Sequence, residues 1–221
     1  MLDKAILAEA VGKLVTGGLG LVMGVLLFGK WRETRNRVVL HWAVFFMGAV
    51  GYVLGSLAIL GRGNPAAMSR LQLILGAATV LLGALPSAML MLPVPTAAAE
   101  VGSLYVPLAL FALLSMLFMV APLEPTGQGQ ALMATGVAIN LYVGACMLTA
   151  TLAIVALLYS ARRTRDARYV ILALAFAMIT MGASMVGHEL LSVLLGQVMI
   201  VLSFVIFYVV FGRLLRAGQS T

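Results

Sequence analysis

The chain has 221 residues, 63% of them hydrophobic and only 10% charged, with a formal net charge of +7. Its mean hydropathy is +1.12. No water-soluble core of this length needs so much apolar surface, so the composition excludes an ordinary soluble domain and points to lipid as the solvent.

A helix needs roughly 20 residues to cross the ~30 Å hydrocarbon core of a bilayer. The first crossing runs over about 6–29, with Lys13 tolerated inside it. The second, 38–61, is the uncharged run between Arg37 and Arg62. The third covers 71–92, where Pro93 and Pro95 end it. The fourth, 101–123, lies between Glu100 and Glu124. Pro125, Gly127 and Gly129 read as loop, leaving a long fifth helix over 131–160 that tilts or projects beyond the bilayer. The sixth, 169–188, and seventh, 190–212, join through a tight turn around Gly187 to Glu189 and form an antiparallel hairpin. The predicted fold class is an all-α integral membrane protein: one seven-helix transmembrane domain, 1–221. No internal repeat is visible between the first and last three helices.

Proline and glycine add detail. Pro86 and Pro107 each remove a backbone hydrogen bond and bend the third and fourth helices. Gly20 with Gly24, and Gly51 with Gly55, have the small-xxx-small spacing that lets helix backbones approach closely in lipid.

Orientation follows from the cations. With seven crossings, Lys30, Arg32, Arg35, Arg37, Arg162, Arg163, Arg165, Arg168, Arg213 and Arg216 fall on one side, leaving Lys4, Lys13, Arg62 and Arg70 on the other. Ten of fourteen on one side places the N-terminus outside and the C-terminus in the cytoplasm. The basic balance is therefore a topology signal, not a sign of nucleic-acid binding. Trp31, Trp42, Tyr159 and Tyr169 flank the two basic loops and read as an interfacial aromatic belt. The N-terminus carries Asp3 and Glu9 and does not read as a cleaved signal peptide.

Polar groups inside a span are costly and are functional candidates by default. Glu9 and Lys13 sit four apart on the first helix and form an outer-face ion pair, either a cation site or a snorkelling anchor. His41 lies near the inner end of the second helix and His188 at the outer end of the sixth. About 25 Å of membrane separates their depths, so they cannot share a haem iron. Each alone can hold a ligand or cofactor, or simply make a hydrogen bond. Asn140 and Gln197 are amides of the fifth and seventh helices; if they face each other they frame a polar cavity, and otherwise they serve interhelical bonds. Ser184 and His188 share one helix face, but no oxyanion-hole element accompanies them, and a serine hydroxyl bonded to its own helix is the commoner arrangement. His188-Glu189 begins like a zinc motif that lacks its second histidine, and Met178, Met181 and Met185 make a stripe that packing explains. No catalytic or metal residue is assigned. Cys146 is the one cysteine, so no intramolecular disulfide exists. Neither Lys4, Lys13 nor Lys30 lies in the seventh helix, which rules out a retinal Schiff base there.

The expected function is that of a non-catalytic binding or assembly component, receptor-like or an accessory subunit of a membrane complex. It would act through helix packing and a basic cytoplasmic face built from Arg32, Arg35, Arg37, Arg162, Arg163, Arg165 and Arg168. Expected partners are anionic lipid headgroups and other membrane protein chains, with no nucleic acid, in a bacterial inner membrane. Seven spans with an outside N-terminus resemble, in architecture only, the membrane sensor regions of bacterial signalling proteins. Such regions feed a cytoplasmic output domain, so a signal from this chain would pass through a partner. The alternative is a small passive carrier or channel for a solute, ion or lipid. A third reading is a subunit holding a haem or pigment through a single histidine; the cofactor is not specified by the residues.

Overall fold

The computed structural model describes residues 2–59, 65–93, 96–125, 132–185 and 190–217. Seven helices among them are long and apolar enough to cross a membrane. We number them α1 (Leu2–Thr34), α2 (Arg37–Ile59), α3 (Pro65–Ala78, a π-helical segment Thr79–Ala84, and Leu85–Met91), α4 (Thr96–Val120), α5 (Val137–Thr164), α6 (Arg168–Met185) and α7 (Leu190–Ala217).

Several boundaries differ from the hydropathy runs. Helix α1 continues past Gly29 to Thr34, because a helix does not stop where its apolar stretch stops. The fifth helix starts at Val137 instead of 131. The reason is a short antiparallel pairing of β1 (Leu123–Pro125) with β2 (Leu132–Ala134), in register Leu123 with Ala134. Gly136 then turns the chain into α5 with a φ of +69°. This hairpin is tied to α3, where Leu132 N–H donates to Ser69 Oγ at 3.2 Å. The Arg70 guanidinium donates to the Phe118 carbonyl at the same end of the bundle. Pro93 does end α3, with Leu92 already extended.

Pro86 does more than bend its helix. It has no N–H to give to the Leu82 carbonyl, and the preceding turn widens to π spacing, with the Leu85 N–H reaching back to Val80. The freed Leu82 oxygen instead faces His41 Nδ1 at 3.0 Å. A carbonyl only accepts, so Nδ1 carries the proton. The π segment also brings α3 against α2 very closely at Gly83, where a Cβ would lie 2.5 Å from the Phe45 Cα.

Helix α1 packs on α2 and α7, α2 on α3, and α6 on α5 and α7. Gly20 and Gly24 lie against Phe46 and Met47 of α2, and Gly51 and Gly55 against Leu75 of α3. Gly182 and Gly196 let α6 and α7 approach so closely that a Cβ on either would lie 2.7 Å from the other's carbonyl oxygen. Helix α4 rests mainly on α3 and is the least covered of the seven.

The principal core joins α1, α2, α3, α5, α6 and α7. At its centre is a cluster of rings: Trp42, Phe45, Phe46, Phe176, Phe204, Phe207 and Phe211. Trp42 is 3% exposed and touches Phe45, Phe176, Phe207 and Phe211. Its expected place in an interfacial belt is thereby corrected. Sequence depth alone could not tell a ring facing headgroups from one turned inward. Trp31 is half-buried, with the Phe28 ring tilted against it at 5.1 Å.

Candidate functional site: a basic cleft at one end of the bundle

The α1–α2 and α5–α6 connections are built the same way from Thr-Arg-Asn and Thr-Arg-Asp. Thr34 Oγ1 donates to the Lys30 carbonyl and Thr164 Oγ1 to the Ser160 carbonyl, closing each helix. Arg35 and Arg165 follow in the left-handed region, with φ of 54° and 55°. A non-glycine residue there costs about 1 kcal/mol. Asn36 and Asp166 then start the next helix, their Oδ1 atoms accepting the N–H of Val38 and of Arg168 at 2.9 Å each. Side-chain caps at both flanks offset the strain. This shared turn was not visible as a repeat, because hydropathy does not register three polar residues at a helix junction.

These turns hold the basic residues at one end. Three carboxylates there are each paired: Glu33 with Lys30 at 3.0 Å, Asp166 with Arg168 at 2.9 Å, and Glu100 with Arg37 at 3.6 Å. The Arg168 guanidinium beside Asp166 holds its carboxyl below the usual carboxylate range, and the Arg168 N–H acts in the same direction. The Arg35 guanidinium lies 5.4 Å from the Trp31 ring centre. Arg32, Arg162, Arg163 and Arg165 are exposed and make no ion pair among the described residues.

Arg37 and Arg163 line a cleft of about 500 Å³, together with Asn36, Leu92, Pro93 and Glu100. Three separate segments converge on it: the α1–α2 turn, the α3–α4 junction and the end of α5. In the sequence Glu100 marks only a boundary of the fourth span. The signal that could have found it is its position opposite the basic α1–α2 turn, at the same end of the bundle.

The other candidates scatter. Asn140 is exposed in the first turn of α5, its N–H bonded to the Gly136 carbonyl. Gln197 is buried at 7% and packs onto Gly12 of α1. The two amides therefore do not face each other, and the later start of α5 is what moves Asn140 from mid-span to the helix end. Lys13 is half-buried, while the side chain of Glu9 and all of His188 and Glu189 lie outside the described residues. Ser184 Oγ donates to the Met181 carbonyl at 2.7 Å. Among the described residues no three His, Cys, Asp or Glu side chains gather as metal ligands. Comparison with known proteins finds no matching family model and no matching curated relative.

Proposed function

We propose that this chain is a non-catalytic component of a membrane, lying in a bacterial inner membrane with its N-terminus outside. It binds or assembles with partners through helix faces and its basic cytoplasmic end. The observation that carries the reading is the ring cluster at the centre of the bundle, whose members stand 5.3–6.4 Å apart. Such packing fills the space between α2, α6 and α7 at that level with apolar rings. A carrier or channel needs polar groups around a path, and here Asn140 and Gln197 diverge. The basic end, by contrast, presents Arg32, Arg162, Arg163 and Arg165, exposed and without an ion pair among the described residues, to acidic partners or lipid headgroups.

Purification from native membranes in mild detergent, with mass spectrometry of everything retained, tests the reading. A stoichiometric partner chain is the expected result. A solitary protein that drives solute flux after reconstitution into vesicles would replace it with the carrier reading. Reporter fusions at the two termini test orientation, and a C-terminal reporter active only outside the cytoplasm would reverse it.

A further inference from the structure

The basic cleft does not end at its charged rim. Leu92 and Ala99 line it and also line a second, apolar groove of about 280 Å³. That groove runs between α3, α4 and α5, over Leu85, Met89, Val106, Leu110, Leu148 and Leu152. From Ala99 to Leu110 along α4 is about 16 Å at 1.5 Å per residue. That is the depth of one leaflet, half of the ~30 Å hydrocarbon core.

We infer that the cleft and groove together form one site for an anionic phospholipid, with its phosphate in the cleft and an acyl chain in the groove. This rests on the bilayer reading above, with the basic end at headgroup level. The head end has the volume of a small-ligand pocket, ~300–1,000 Å³. Its donors have the right chemistry. Arg163 makes no ion pair among the described residues, and its planar guanidinium can hold two phosphate oxygens. Asn36 Oδ1 accepts the Val38 N–H, and its amide hydrogens, without a partner among the described residues, can reach a second acceptor. Among the described residues Glu100 is the one carboxylate in the lining, with Arg37 3.6 Å from it, so Arg37, Arg163 and Glu100 together leave one net positive charge. Exposed Arg162 stands beside Arg163 in sequence and adds to the field. A soluble anion would use the same arginines but would leave the apolar groove empty. The continuity of cleft and groove is what selects a lipid.

The test uses the full chain in detergent, titrated with phosphatidylglycerol or phosphatidylcholine and read by native mass spectrometry. Phosphatidylglycerol should bind about tenfold more tightly than phosphatidylcholine: both carry the phosphate, but the choline ammonium brings a second positive charge beside Arg37 and Arg163. Arg163→Gln should weaken both lipids, since both carry the phosphate, and phosphatidylglycerol the more, so that the preference falls. Ala98 is exposed on the groove wall, so Ala98→Trp fills the groove with little effect on folding and should weaken both lipids. Equal binding of the two lipids by the parent overturns the inference, as do variants that both bind like the parent. Displacement of phosphatidylglycerol by millimolar inorganic phosphate, with Ala98→Trp unaffected, would reassign the cleft to a soluble anion. Recovery of the chain outside the membrane fraction would instead refute the bilayer reading itself.

Discussion

Replacing Gly83 by alanine sets two effects against each other, and the structure says which wins. Alanine favours helix over glycine by up to about 1 kcal/mol. At Gly83, however, the new Cβ would lie 2.5 Å from the Phe45 Cα, 2.6 Å from its N and 2.7 Å from its Cβ. Carbon atoms rest at about 3.5–4.0 Å, so α2 and α3 must part by about 1 Å. The atoms in the way are mainly backbone and cannot rotate aside. Phe45 is also part of the central ring cluster, so moving it loosens contacts with Trp42, Phe46 and Phe176. Overpacking of this kind costs about 1–3 kcal/mol. The net effect of Gly83→Ala should be a destabilisation of about 1–2 kcal/mol. Gly144, exposed on α5 with nothing within 4 Å of a Cβ, supplies the control. Gly144→Ala should stabilise by a few tenths to about 1 kcal/mol. Unfolding by added dodecyl sulfate in mixed micelles, followed by circular dichroism, measures both. A Gly83→Ala protein as stable as the parent would refute the close approach of α2 and α3.

Three further outcomes follow from the same packing. Phe207→Ala removes a ring that is fully buried among Trp42, Phe46, Phe176 and Phe211. In water-soluble cores Phe→Ala costs about 3–5 kcal/mol. In a bilayer or micelle, apolar surroundings would cancel much of the transfer part but not the cavity part, so about 2–3 kcal/mol should be lost in the same unfolding assay. His41→Leu should cost about 1 kcal/mol by orphaning the Leu82 carbonyl. In a Pro86→Ala background, where a backbone N–H is restored, that cost should shrink by at least about 0.5 kcal/mol; an unchanged cost would separate His41 from Pro86. Asp166→Ala should lose a helix cap, about 1 kcal/mol, whereas Asp166→Asn keeps it. Because Arg168 depresses the Asp166 carboxyl, its ionic contribution is complete above the ordinary carboxylate range. It is lost as pH falls through the depressed folded value; hydrogen exchange at the α5–α6 turn that slows on acidification, after correction for intrinsic rates, would contradict this.

How much of the site was legible differs residue by residue. The arginines of the two turns were identifiable from their clustering, and Pro93 from its place after an apolar run. Glu100 was legible only as a boundary, since its pairing with Arg37 joins residues of different helices. Asn140 was misplaced because a three-residue strand, Leu132–Ala134, takes up what hydropathy reads as helix. Gln197 was singled out as polar, but its partner surface on Gly12 depends on which way α7 is turned.

The sequence by itself determined that there are seven apolar helices, roughly where each ends, and that the cations gather at alternate connections. Those properties reside in single segments, because an apolar run or a proline acts without reference to its neighbours. Only the tertiary structure decided that Trp42 lies inside, that Pro86 opens a π turn answered by His41, and that a basic cleft continues into an apolar groove. The physical reason is that lipid tails and the bundle interior are equally apolar. Hydropathy therefore measures transfer out of water and is blind to which face of a helix meets lipid and which meets protein. Shape and hydrogen bonding between helices make that choice, at contacts such as Gly83 on Phe45 and His41 on Leu82.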